Sequence, residues 1–210
     1  MKPRITYFAP ELLLENAEKE MAPIPNEQLF NDPQYQKLKE RWCAGIFGVG
    51  YSKVVASCVV GVNDAPFRED IDIFLKSQNR EWGFQLAEVQ EPGRRRGLEY
   101  KEFAKDKIRS IPYEPERGRL EGPAWLAESV RRKKEKNYSG SNDMHLLLYA
   151  NFQARELEHS ELAKHLQPFS NYFASLWIIT STHVCSIFSP RELGELNGWS
   201  VVRDIEHYYK

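Results

Sequence analysis

Asp70-Ile71-Asp72-Ile73-Phe74-Leu75, followed after a polar connection by the extended run Trp82 to Gln90, is the stretch whose reading decides the fold. Ile71, Ile73 and Leu75 alternate with Asp70, Asp72 and Phe74, a period of two that sends successive side chains to opposite faces of a sheet. Ser77 to Arg80 supplies a polar hairpin connection, and Pro92 and Gly93 end the second run. Two adjacent antiparallel strands are predicted, with acidic residues near one end.

On the N-terminal side, Asn31 and Asp32 precede Pro33, a helix start in which a capping side chain is followed by a proline whose missing N–H costs nothing in the first turn. Tyr35, Leu38, Trp42, Ile46 and Val49 then draw one apolar stripe. Gly45, Gly48 and Gly50 leave two outcomes open: the helix ends near Gly50, or the glycines admit a closely packed neighbour. The β-branched run from Val54 to Val62 either finishes that helix or forms a short strand. Residues 1 to 30 hold Pro3, Pro10, Pro23 and Pro25 around a stretch, Glu11 to Glu20, suited to helix. They are expected to form an arm lying on the domain.

On the C-terminal side, residues 93 to 122 are strongly charged, with Arg94, Arg95 and Arg96 at their head, and Ile111 to Pro123 is too rich in proline and glycine for continuous helix. An insertion is expected there. A basic helix follows from Ala124 to about Lys136, with Trp125, Leu126 and Val130 directed to the core. His145 to Ala150 is apolar on both faces, as a central strand between helices would be. Leu162, Leu166, Phe169 and Phe173 mark another helix, kinked or divided by Pro168. Leu176 to Thr180 and Val184 to Phe188 close the core as a hairpin. The order predicts an α/β fold with a mixed central sheet flanked by helices. It occupies residues 31–189, with residues 190–210 as a C-terminal tail.

Composition narrows the function. A net charge of -1 over 210 residues argues against a chain coated for nucleic acid, although a local basic patch can still bind it. Cys43, Cys58 and Cys185 are widely spaced among apolar neighbours and read as buried thiols. His159 and His165, six apart, fall on nearly opposite sides of a helix and give no zinc site. His145, Trp125 and Trp177 read as structural. No apolar run approaches the roughly 20 residues that span a bilayer, and no secretory signal is seen, so the cytoplasm and no membrane partner are expected. Neither a glycine-rich phosphate loop nor a nucleophile elbow is present.

Asp72, Glu88 and Gln90 also carry a resemblance. An acidic residue on one strand, then an acidic residue two before a lysine on the next, resembles the centre of the PD-(D/E)XK nuclease superfamily, with Gln90 at the lysine position and Ile71 where a proline is usual. The resemblance implies a restriction endonuclease-like core in which Asp72 and Glu88 hold Mg²⁺ and a bound water attacks a phosphodiester. It places Asp72, Glu88, Gln90 and Lys133 among the catalytic residues, Lys133 or Lys136 replacing the absent lysine, and admits Glu40 as a further metal contact. A second register, with Gln85 at the second acidic position, implies an inactive site. Nucleic acid is the expected partner, held by Arg94, Arg95, Arg96, Arg132, Lys133 and Lys136. Two functions follow: a Mg²⁺-dependent nuclease, or a catalytically inactive domain acting in protein or nucleic-acid interaction.

Overall fold

The computed structural model describes residues 5–64, 71–94, 114–136, 143–152 and 156–203. Helix α1, Pro10–Met21, opens on a proline in its first turn, and α2 is the short helix Asn26–Asn31. The Asp32 carboxylate then accepts from the Gln34 N–H at 3.0 Å, capping a 3₁₀ turn over Pro33–Tyr35 that leads into α3, Gln36–Val54. Helix α3 runs through all three of its glycines, so the close-packing outcome is the one realised. A Cβ on Gly45 would lie 2.8 Å from the Cα of Leu14 in α1, and one on Gly50 2.3 Å from a Val184 methyl. The N-terminal arm is therefore largely a helical layer on α3. Glu18 of α1 accepts from Trp42 Nε1 at 3.2 Å and from Arg203, tying both ends of the described chain to that layer.

Among the described residues the sheet has seven strands in sequence order: β1 Val59–Val62, β2 Ile73–Ser77, β3 Arg80–Val89, β4 His145–Ala150, β5 Ser175–Ile179, β6 His183–Phe188 and β7 Ser200–Val201. β1, β2 and β3 form an antiparallel meander, β3, β4 and β5 are parallel, and β6 and β7 return antiparallel. The Val54 to Val62 run thus does both things the sequence allowed, ending α3 and then supplying β1. β3 outlasts β2: Arg80 to Phe84 pair with β2, and Phe84 to Val89 pair with β4.

Each face of the sheet has its own core. Leu38, Trp42, Ile46 and Phe47 of α3 pack on Phe84, Leu147 and Trp177. On the other face, α4, Pro115–Glu135, and α5, His159–Leu166, bring Leu126, Val130, Leu162 and Leu166 to Ala87, Leu146, Leu148 and Ile178. This is the mixed sheet flanked by helices that the sequence predicts. One element differs. Helix α4 begins at Pro115 rather than Ala124, because Gly118 and Gly122 are buried and a Cβ on Gly122 would meet the Phe152 ring at 2.6 Å. Packing against that ring outweighs the poor helix propensity of the segment. Pro168 divides its helix as expected, since α5 stops at Leu166 and a 3₁₀ turn follows. The tail contributes β7 and a buried Leu193, whose carbonyl accepts from the Tyr51 hydroxyl at 2.9 Å. Among the described residues no helix is long and apolar enough to cross a membrane. Cys43 and Cys185 are buried and Cys58 is half-buried, all as free thiols.

Two measurements check this packing. Gly45→Val should destabilise by about 1–3 kcal/mol in urea unfolding, because its branched side chain must push α1 off α3, whereas Val54→Ala on the exposed end of α3 should change stability by less than about 0.5 kcal/mol. His145 is buried with Nδ1 2.9 Å from Ser175 Oγ, and burial depresses its pKa from 6.5 to about 4. The unfolded chain takes up a proton below pH 6.5 that the fold refuses until about pH 4. The His145 contribution to stability should fall by about 3 kcal/mol across that window and level off below it. His145→Gln should remove this part of the acid slope; an unchanged slope would assign it to other groups.

Candidate functional site

The acidic residues of the hairpin meet where β2 ends and β3 goes on alone. Asp72 precedes β2; its N–H donates to the Phe84 carbonyl at 2.9 Å, and its Oδ2 accepts the Leu86 N–H at 2.8 Å. The carboxylate thereby takes up a strand donor that β2 no longer reaches. Farther along β3, Leu86, Glu88 and Gln90 share the α3 side, as a two-residue spacing in a strand requires. Glu88 Oε1 accepts from Gln90 Nε2 at 2.7 Å and from the side-chain amide of Asn151, which is buried just past β4. Tyr149, opposite Glu88 on β4, stands edge-on to Trp42 with centroids 5.3 Å apart.

Helix α3 adds Glu40, only 4% exposed, which accepts from Lys37 Nζ at 2.8 Å and from Gln36 Nε2 at 3.2 Å. Burial raises the Glu40 pKa, with a smaller push from the negative charge of Asp72, while Lys37 opposes it. Burial likewise lifts the neighbouring Cys43 thiol well above its usual range, and the charges of Glu88 and Glu40 add to that, so this thiol is inert at neutral pH. Glu40, Asp72 and Glu88 therefore converge from three elements on one region beneath α3.

The remaining sequence candidates lie elsewhere. Arg94 is ion-paired with Glu91 at 3.5 Å, and Glu91 also accepts from Arg117 at 2.6 Å, which fixes the N-terminal end of α4 near the end of β3. Lys133 is 16 residues farther along that helix, about 24 Å at 1.5 Å per residue, on the opposite face of the sheet from Glu40. Arg132 and Lys136 go with it. Gln85 is 6% exposed on the α4 side, and among the described residues its side-chain carbonyl has no hydrogen-bond partner. Asp70, Arg95 and Arg96 lie outside the described residues. Asn151, Gln36 and Lys37 were missed in the sequence. The spacing of Lys37 and Glu40 on one helix was a usable signal, whereas Asn151 reaches Glu88 only through the parallel register of β3 and β4.

The Mg²⁺ that the resemblance implies does not suit this donor set. Asp72 and Glu88 each have an oxygen committed to protein N–H groups, amides flank Glu88 where a cation was expected, and among the described residues no group of three or more His, Cys, Asp or Glu is arranged to hold a metal ion.

No family model matches the chain, and no curated protein matches it. Among solved structures, a protein of unknown function from Pseudomonas aeruginosa strain PAO1, described as belonging to the monooxygenase superfamily, is 18% identical with a TM-score of 0.49, over 91% of this chain and 93% of that one. At that identity and score the likeness assigns this chain neither a family nor an activity. The PD-(D/E)XK resemblance is corrected, together with its restriction endonuclease-like core: no nuclease family model matches the chain, nothing found among solved structures points to a nuclease, and the donor set does not suit the metal. Physically, the pattern misleads because an acidic residue that ends one strand and a Glu-x-Gln on the next also serve to satisfy strand ends.

Glu40 gives the test of this region's electrostatics. An acid whose folded pKa is raised contributes stability at low pH that is lost as pH rises through that pKa. Glu40→Gln should therefore unfold at higher urea than the parent chain at pH 7, and the difference should close as pH falls below the carboxylate range. A variant less stable at pH 7 would show that the Lys37 pair outweighs the burial.

Proposed function

We propose that this chain acts by binding a polyanionic partner, nucleic acid being the form expected, through the basic end of α4, while the carboxylates near β2 and β3 serve the fold. The observation that carries this reading is the charge on one helix end: Arg131, Arg132, Lys133, Lys134 and Lys136 fall within six residues, offset by Glu128 and Glu135. Glu128 accepts from Arg131 and Arg132, leaving the cluster net positive. Lys134 Nζ lies 3.6 Å from the centroid of the exposed Tyr172 ring, which sets an aromatic surface beside the cations. Phosphates attract such a cluster by releasing counterions, and an adjacent ring offers stacking to an unpaired base.

Fluorescence anisotropy with labelled single- and double-stranded oligonucleotides across a salt series tests the proposal. Binding should weaken as log salt rises, and combined Arg132→Ala, Lys133→Ala and Lys136→Ala should reduce the slope by roughly 2–3. Absence of binding at low salt would overturn it.

A further inference from the structure

The β1 edge of the sheet is covered, among the described residues, by a segment that holds it lightly. Phe8 and Val60 exchange two backbone hydrogen bonds of 2.9 Å, an isolated bridge rather than a strand. The chain then turns away, because Pro10 begins α1. Tyr7 secures the segment from the side. Its hydroxyl donates to the Glu81 carboxylate, and Lys76, 3.0 Å from that carboxylate, lies 4.0 Å above the Tyr7 ring. These groups are exposed on β2 and β3, where an ion pair holds weakly and is screened by salt. Gly61 makes room for the cover, since a Cβ there would stand 2.7 Å from an Ile5 methyl and 2.8 Å from the Thr6 carbonyl oxygen.

Beneath the cover, β1 has the character that sheet proteins avoid at an open edge. Val59-Val60-Gly61-Val62 is uncharged, free of proline and rich in β-branched residues, with Val59 36% exposed. Pairing with β2 engages Val59 and Gly61 on one side, so Val60 and Val62 turn their N–H and C=O groups outward. Two such edges are self-complementary about a twofold axis at Gly61, Val60 of each copy facing Val62 of the other. No side-chain charge opposes that approach along the strand.

We propose that residues Ile5–Phe8 are an intramolecular guard on β1, and that lifting the guard lets two copies of the chain pair edge to edge through β1. The partner is a second copy because the exposed edge is short, uncharged and complementary to itself. The guard occupies the same outward groups of Val60 that the second copy would use, so the two states exclude each other.

Two full-chain variants at one position separate guard release from pairing. Gly61→Val and Gly61→Lys both place a Cβ against Ile5 and Thr6, so both should speed hydrogen exchange at the Phe8 amide and, at dilutions that keep the chain monomeric, at the Val60 amide. Only Gly61→Val should dimerise in sedimentation analysis, with an apparent dimer Kd lower than the parent chain's by at least about tenfold, because Gly61→Lys sets like charges opposite each other at the twofold axis. If Gly61→Val does not fold, Phe8→Pro, which deletes the N–H given to Val60, replaces it, with Phe8→Pro/Gly61→Lys as its charged counterpart. Unchanged exchange at Val60 in the monomeric chains would overturn the guard. Faster exchange with no dimer, or equal dimerisation of the valine and lysine variants, would overturn the pairing.

Discussion

The Leu86 N–H must find an acceptor after β2 has ended, and the Asp72 carboxylate supplies it at 2.8 Å. β3 is the strand on which the sheet changes from antiparallel to parallel pairing, and its second half has β4 on one side only. A part-buried strand donor left unpaired there would cost up to about 1–3 kcal/mol. Placing a short acceptor one residue before β2 satisfies it and fixes where the hairpin separates. The acidic start of the hairpin follows from that requirement. So does the next feature along β3, where Glu88 draws the amides of Gln90 and Asn151 together across the ends of two parallel strands.

Helix α3 closes this region from above, and its position depends on close approach. Gly45 lets α1 sit against α3, Gly50 lets β6 reach it, and the aromatic rings of Phe47, Phe84 and Trp177 fill the layer between helix and sheet. Glu40 is carried into that layer with Lys37 and Gln36 beside it, which keeps a buried carboxylate partnered while burial still raises its pKa. The opposite layer is built differently. Helix α4 keeps Gly118, Gly122 and Pro123 buried, and at Gly122 the side chains of Phe152 and Leu157 pack on the space the glycine leaves. Its polar end is long enough to project a basic cluster far from the carboxylates.

The hairpin was legible because the first strand alternates, the second is an extended run and the connection is polar; Gln78 and Asn79 adopt positive φ in it, as tight hairpin turns require. The buried central strand His145–Ala150 was legible from its continuous apolar run. The start of α4 was not, since glycine and proline there speak for a loop until the Phe152 contact is known. The shared face of Glu88 and Gln90 followed from spacing alone. What spacing could not give was the direction of α4 relative to that face, and so Lys133, which reads as a neighbour in sequence, stands at the far end. The nuclease resemblance rested on acids whose pattern is the same whether they bind a metal or terminate a strand.

The most direct measurement is urea unfolding of Asp72→Asn and Asp72→Ala against the parent chain, with and without Mg²⁺. If Asp72 is a strand acceptor, Asp72→Asn, which keeps an acceptor oxygen without the charge, retains most of the stability. Asp72→Ala then loses about 1–3 kcal/mol, and Mg²⁺ leaves all three chains unchanged. A Mg²⁺-dependent stabilisation of the parent chain that vanishes in Asp72→Asn would contradict the account and make Asp72 a metal ligand.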